Sequence, residues 1–190
     1  KVMGRQSGFI AAHTALAISD VNYVFVPEVP FDLEGENGFL THLERRIERR
    51  GHAVILVAEG AGQDLMDVEN VVDASGNKKL GDIGAFLKKR IAEHFDRKAV
   101  PINLKYIDPS YIIRSIPANP NDSVYCTRLG TNAVHAAMAG KTELLISLVH
   151  DNFVHIPIRM AILRKHCIDP DDELWRDVVI TTGQPRLMKN

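Results

Sequence analysis

The run AVILVAEGAG, Ala53 to Gly62, constrains the fold more than any other stretch of the chain. Its apolar residues do not alternate with polar ones, and they pass straight into a glutamate and a glycine-rich turn. A strand buried on both faces has that composition, because helices covering a parallel sheet leave neither side to water. Open sheets of this kind bind ligands just beyond the carboxyl ends of their strands, which is where Glu59 falls. Tyr23 to Val26, closed by Pro27 and Pro30, reads as a second buried strand, and Pro101 to Ile107 is a third candidate.

Helical periodicity fills the spaces between them. From Ser7 to Ser19 the positions Phe9, Ile10, His13, Leu16 and Ala17 recur at helical spacing, which puts His13 on the inward face as a packed residue. Leu40, Leu43 and Ile47 mark a helix ending at Gly51, and its charged side, ERRIERR, is a solvated or subunit-facing surface. Ile83, Phe86, Leu87, Ile91 and Phe95 mark another helix, while Asp67 to Lys79, containing DASGN, reads as a surface excursion. Asp108 and Pro109 open a helix or turn. A helix from Ser123 to Ala139 stops at Gly140, Leu144 to Val149 and Phe153 to Ile158 form strands around a turn at His150 to Asn152, and a last helix covers Asp171 to Val179. The fold class is α/β, with a three-layer, Rossmann-like parallel sheet flanked by helices and a short antiparallel pair near the end. The proline-rich stretch Ile116 to Pro120 marks a boundary between residues 1–116 and 117–190.

With 23 Lys and Arg against 24 Asp and Glu, the chain has no basic field that would argue for nucleic acid or an anionic membrane. No apolar run approaches the roughly 20 residues that span a bilayer. Cys126 and Cys167 lack metal-ligand spacing and lie among apolar neighbours, so both are expected to be buried free thiols in a reducing compartment. A soluble cytoplasmic protein is expected.

Three sets of residues stand at strand ends or helix starts: Met3, Gly4 and Arg5; Glu59; and Tyr111 with Arg114. Gly4 and Gly8 let the backbone approach a bound group, Arg5 can fork two hydrogen bonds onto an anion, and Ser7 can cap the helix that follows. A phosphosugar needs cations for its phosphate and acceptors for its hydroxyls, and Arg5, Arg114 and Glu59 offer both.

KVMGRQSGFIA, ILVAEGAGQ and LKYIDPSYIIRS, in that order, together resemble 6-phosphofructokinases. The closer likeness is to the branch with ATP-using members in plants and trypanosomatids, which is related to the pyrophosphate-dependent enzymes. NDSVYCTRLGTNAVHAAMAG extends it, so the resemblance covers nearly the whole chain. It implies a phosphofructokinase-like small domain in residues 1–116, with 117–190 returning to a second domain that binds nucleotide. It implies that Met3, Gly4 and Arg5 contact fructose 6-phosphate, that Glu59 accepts from a sugar hydroxyl, and that Tyr111, Ile112, Ile113 and Arg114 grip the 6-phosphate, with Arg114 as the main cation. Tyr111 stands where many bacterial relatives have a histidine, and Lys105 where they have a phosphate-binding arginine that reaches a neighbouring subunit.

The family's Gly-rich donor loop, its GGD segment and its TID segment, whose Asp activates the attacking hydroxyl, lie upstream of MGR and are not found here. GAG at Gly60 to Gly62 lacks the Lys and Ser or Thr of a P-loop. No catalytic residue is therefore identifiable in this chain. ATP or pyrophosphate, with Mg²⁺, is expected to be bound mainly by an upstream region. Without an initiating Met, the chain is expected to be a carboxyl-side portion or a processed subunit that binds sugar phosphate and, alone, does not transfer phosphoryl groups. The resemblance also implies a homotetramer, and a noncatalytic sugar-phosphate-binding regulatory subunit is the reading from another class.

Overall fold

A computed structural model describes residues 1–67, 72, 76 and 79–190, so the excursion expected from Asp67 to Lys79 lies largely outside the described residues. In chain order the elements are α1 (Phe9–Ala17), β1 (Tyr23–Phe25), α2 (Phe39–Arg50), β2 (Ile55–Val57), α3 (Ile83–Arg97), α4 (Ser110–Arg114), α5 (Pro120–Met138), β3 (Leu144–Val149), β4 (Asn152–Pro157), α6 (Ile158–Ala161) and α7 (Glu173–Thr182). Contacts divide the chain into two units, residues 1–113 with 167–190, and residues 114–166. The tail from Cys167 thus packs with the amino-terminal part, whereas the sequence alone groups 117–190 as one segment.

In the first unit β1 and β2 pair in parallel, Tyr23 opposite Ile55 and Phe25 opposite Val57. Val2 continues the sheet beyond β2: its N–H donates to the Val57 carbonyl (2.9 Å) and its carbonyl accepts from Glu59 N–H (3.0 Å). Alternation along the strand divides the core in two. Tyr23, Phe25 and Val57 face Phe39, Leu40 and Leu43 of α2 and Ile83, Leu87, Ile91 and Phe95 of α3. Val24, Val26 and Ala58 face Ala11, Ala12 and Ala15 of α1 and Trp175 and Val178 of α7. Each large side chain fully buried here contributes about 1.5–3 kcal/mol. Phe25 adds ring contacts, stacked on Phe31 at 4.0 Å and edge-on to Phe39 at 4.8 Å.

The helix ends follow their local chemistry. Gly51 closes α2 in the left-handed region (φ 75°), its N–H donating to the Ile47 carbonyl. Asp82 caps α3 by accepting from Gly84 N–H and Ala85 N–H. The expected face of α1 is corrected: Ala11, Ala12 and Ala15 are buried and His13 is exposed. Three side chains no longer than a methyl let the helix lie close to the sheet, so the small residues set its phase instead of the bulky ones. Nor does Ser7 cap this helix; Gly8 is its N-cap and no side chain serves. Both cysteines are free as expected, but both are exposed, correcting the expectation of burial.

Pro101 to Ile107 is extended but forms no strand. Val100, Ile102 and Leu104 pack alternately on the aromatic cluster, which explains the strand-like pattern, yet no described residue ladders with them. The segment is tied instead to the chain's start. The Lys1 ammonium meets Asp82 (3.3 Å) and Asp108 (3.0 Å), and the Tyr106 hydroxyl donates to Asp82 (2.9 Å). Burial alone would lower the Lys1 side-chain pKa, but these carboxylates outweigh it and hold it above its ordinary value.

The other flank of β1 has an unusual neighbour. The side-chain amide of Gln184, itself buried, accepts from Val24 N–H (2.6 Å) and donates to the Val24 carbonyl (3.3 Å). One side chain does there what an adjoining strand would do.

The second unit holds α5, the antiparallel hairpin β3–β4 and α6. Its turn residues His150 and Asp151 both have positive φ, the pairing that suits a two-residue hairpin. Asn119 caps α5 with Pro120 in its first turn, so the helix starts three residues before the expected Ser123. Phe153 carries Tyr125 stacked at 6.1 Å and the Arg128 guanidinium at 4.5 Å.

Candidate functional site

Two chain reversals meet at the carboxyl end of the parallel sheet. One follows Val2 and carries Met3, Gly4 and Arg5; the other follows β2 and carries Glu59 and Gly60. Gly60 N–H donates to the Gly4 carbonyl at 3.0 Å. A Cβ placed on Gly60 would lie 2.0 Å from the Arg5 carbonyl oxygen, so only glycine allows the backbones to come this close. Gly4 has φ 146°, and a Cβ there would stand 2.7 Å from the Ser7 carbonyl. Arg5 and Glu59, both half-buried, therefore leave adjoining stretches of backbone.

Gln63 holds the second reversal in shape. Its Nε2 donates to the Glu59 carbonyl (2.7 Å) and the Gly81 carbonyl (3.1 Å), and its Oε1 accepts from Gly81 N–H (2.9 Å). The sequence alone does not reveal this role. The signal available was a glutamine four residues after a strand-end glutamate, inside ILVAEGAGQ.

Asp108 opens α4 by accepting from Ser110 N–H (3.2 Å) and from the Ser110 hydroxyl. The Ser110 hydrogen bond first, and then the Lys1 ammonium, outweigh the opposing effect of burial and hold the Asp108 carboxyl down to about 2. Tyr111, Ile112 and Ile113 follow on α4 in the first unit, and all three are exposed. Arg114, also exposed, begins the second unit. Lys105 lies on the extended segment and lines an apolar groove of about 370 Å³ with Lys1, Val57 and Tyr106, which Arg5 and Glu59 do not line. The structure thus brings Met3, Gly4, Arg5 and Glu59 to one place and sets Lys105 at another.

A guanidinium and a carboxylate on neighbouring rigid turns can hold a ligand that presents both an anionic group and hydroxyls: the first donates in a fixed fork and the second only accepts. Among the described residues no three His, Cys, Asp or Glu side chains form a group that could hold a metal ion. Among the described residues no helix is long and apolar enough to cross a membrane.

The sequence profile of the family described as Phosphofructokinase matches residues 1–137. The ATP-dependent 6-phosphofructokinase of Borreliella burgdorferi is 58% identical over 197 residues, covering 100% of this chain and 44% of its own length. That of Amycolatopsis methanolica is 50% identical over 97% of this chain and 42% of its own length, and that of Trypanosoma cruzi is 43% identical over 96% and 38%. The chain therefore spans less than half the length of these curated relatives. Among solved structures, the pyrophosphate-dependent phosphofructokinase from Marinobacter aquaeolei superposes with a TM-score of 0.67 at 20% identity, covering 95% of this chain and 46% of that one. At that identity the likeness concerns the fold.

Proposed function

The chain belongs to the phosphofructokinase family, and from that premise we propose that it is the carboxyl-side, sugar-binding part of a 6-phosphofructokinase, which moves the terminal phosphoryl group of ATP to the 1-hydroxyl of fructose 6-phosphate. The observation that carries this reading is the backbone contact between Met3–Arg5 and Glu59–Gly60 at the carboxyl end of the parallel sheet. In it, Met3 and Gly4 line the sugar, Arg5 donates to it, and Glu59 accepts from one of its hydroxyls. Tyr111, Ile112, Ile113 and Arg114 receive the 6-phosphate, with Arg114 as the main cation, and Lys105 serves a phosphate held with a neighbouring subunit. The names of the curated relatives favour ATP over pyrophosphate as donor.

Among the described residues no side chains group as a magnesium site would, and no step of the transfer is assigned to a metal held by them. Mg²⁺ and the phosphoryl donor belong, in this proposal, to polypeptide upstream of Lys1, as does the base that takes the proton of the attacking hydroxyl. Residues 1–116 then form the sugar-phosphate domain, and part of 117–190 returns to the nucleotide domain. The protein acts in glycolysis in the cytoplasm as a homotetramer. What this chain contributes is orientation, since phosphoryl transfer depends on positioning and charge neutralisation more than on covalent chemistry.

The test is to assay the complete gene product and the 190-residue chain side by side, with ATP and with pyrophosphate. The complete protein is expected to phosphorylate fructose 6-phosphate with ATP, and the chain alone is expected to give no turnover. A complete protein inert with both donors, or a chain active by itself, would overturn the proposal.

A further inference from the structure

Glu28 follows β1 by three residues and belongs to none of the groups assigned above. It sits where three segments meet. Its Oε1 accepts from Gly8 N–H (3.0 Å) and from Ile168 N–H (2.9 Å). Beside this joint the Cys167 thiol reaches the Gln6 carbonyl at 3.7 Å. One oxygen thus binds the N-cap of α1, into which the loop Met3–Ser7 runs, to the tail that returns at Cys167. Its other oxygen, Oε2, is buried and finds no hydrogen-bond partner among the described residues. A buried carboxylate oxygen left without a donor is costly and calls for an explanation.

We propose that Glu28 is a positioning residue for the sugar loop. Its Oε1 fixes where the chain enters α1, and so fixes the short span from Val2 to Gly8 that presents Arg5 beside Glu59. The loop is anchored at one end by Val2 in the sheet and at the other by Glu28. Carboxylate acceptors make stronger bonds to backbone N–H groups than neutral ones, which suits an anchor that must hold two donors at once. This inference rests on the sugar-binding reading of the loop.

The experiment compares Glu28→Gln, Glu28→Asp and Glu28→Ala in the complete enzyme, measuring kcat, both Michaelis constants, and amide exchange at Gly8 and Ile168. Gln keeps a carbonyl oxygen at the position of Oε1, and its KM for fructose 6-phosphate is expected to stay within about threefold of the parent. Asp keeps the charge but is one methylene too short to reach both donors. Asp and Ala are expected to raise that KM by about tenfold or more, with faster exchange at Gly8 and Ile168 and an unchanged KM for ATP. An unchanged sugar KM despite faster exchange overturns the proposal, as does a parallel rise in both Michaelis constants or a Gln variant as impaired as Asp. If Ala fails to fold, the contrast between Asp and Gln decides. If the unaltered enzyme does not use fructose 6-phosphate at all, the functional reading fails first, and the two failures are distinguishable.

Discussion

Gly60→Ala should separate Arg5 from Glu59 whichever of their two segments yields. The new Cβ would lie 2.0 Å from the Arg5 carbonyl oxygen, 2.7 Å from its carbon and 2.9 Å from the Gly4 oxygen, all of them backbone atoms that no rotamer change can withdraw. Opening the shortest contact to an acceptable 3 Å requires a relative shift of about 1 Å. Misplacement on that scale can cost about 100-fold in a positioned reaction, so KM for fructose 6-phosphate should rise by about 10- to 100-fold. Overpacking should also destabilise the chain by about 1–3 kcal/mol. Gly51→Ala is the control: Gly51 has φ 75° but nothing within 4 Å of a Cβ, so alanine meets backbone strain without a clash. It should cost about 1 kcal/mol and leave the sugar KM alone. Steady-state kinetics on the complete enzyme and thermal unfolding of the 190-residue chain read the two effects separately. A Gly60→Ala enzyme with the parent's sugar KM, or a Gly51→Ala enzyme that loses affinity equally, would refute the reasoning.

Arg114→Ala should remove a charge-assisted phosphate contact worth about 1.5–3 kcal/mol, raising KM for fructose 6-phosphate by about 10- to 150-fold; an unchanged KM counts against Arg114 as the phosphate cation. Because the folded pKa of Asp108, about 2, lies below its ordinary value, its contribution to stability is complete above the ordinary carboxyl pKa and is lost as pH falls towards 2. Ser110→Ala removes the largest cause of that depression, so the Asp108 midpoint in a carboxyl NMR titration should move up; an unmoved midpoint refutes the assignment. Gln184→Ala leaves Val24 N–H and its carbonyl unpaired in a buried place and should lower stability in urea by about 2–4 kcal/mol, and a loss below about 0.5 kcal/mol would contradict this.

What the sequence makes legible is what short-range chemistry decides. Tyr23 to Val26 and Ala53 to Ala58 read as strands because helices on both faces demand unbroken apolar runs, and Gly51 reads as a helix end because few other residues take its φ. The hairpin turn reads correctly because it lies between two apolar runs. The misreadings share a cause: the deciding partner is remote in sequence. Val100, Ile102 and Leu104 alternate like a strand, but a strand also needs a ladder neighbour, which no local pattern reveals. Counting bulk places His13 inward, while the sheet selects the alanines that allow close approach. Within the site, the glycines of MGR and AEGAG are visible in the sequence. Their contact is not, nor is the bracing from Gln63 and Glu28, whose partners are Gly81 and Ile168.

A sheet flank is ordinarily an invitation, since exposed N–H and carbonyl groups accept a strand from any passing chain. At Val24 the invitation is withdrawn, because the side-chain amide of Gln184 has already occupied both groups. Gln184 directly follows Gly183, which caps α7 in the left-handed region (φ 68°) with its N–H donating to the Val179 carbonyl, so sliding the stopper by one residue would mean unwinding the end of that helix. Among the described residues, a single glutamine thus closes at Val24 what other folds close with a whole strand.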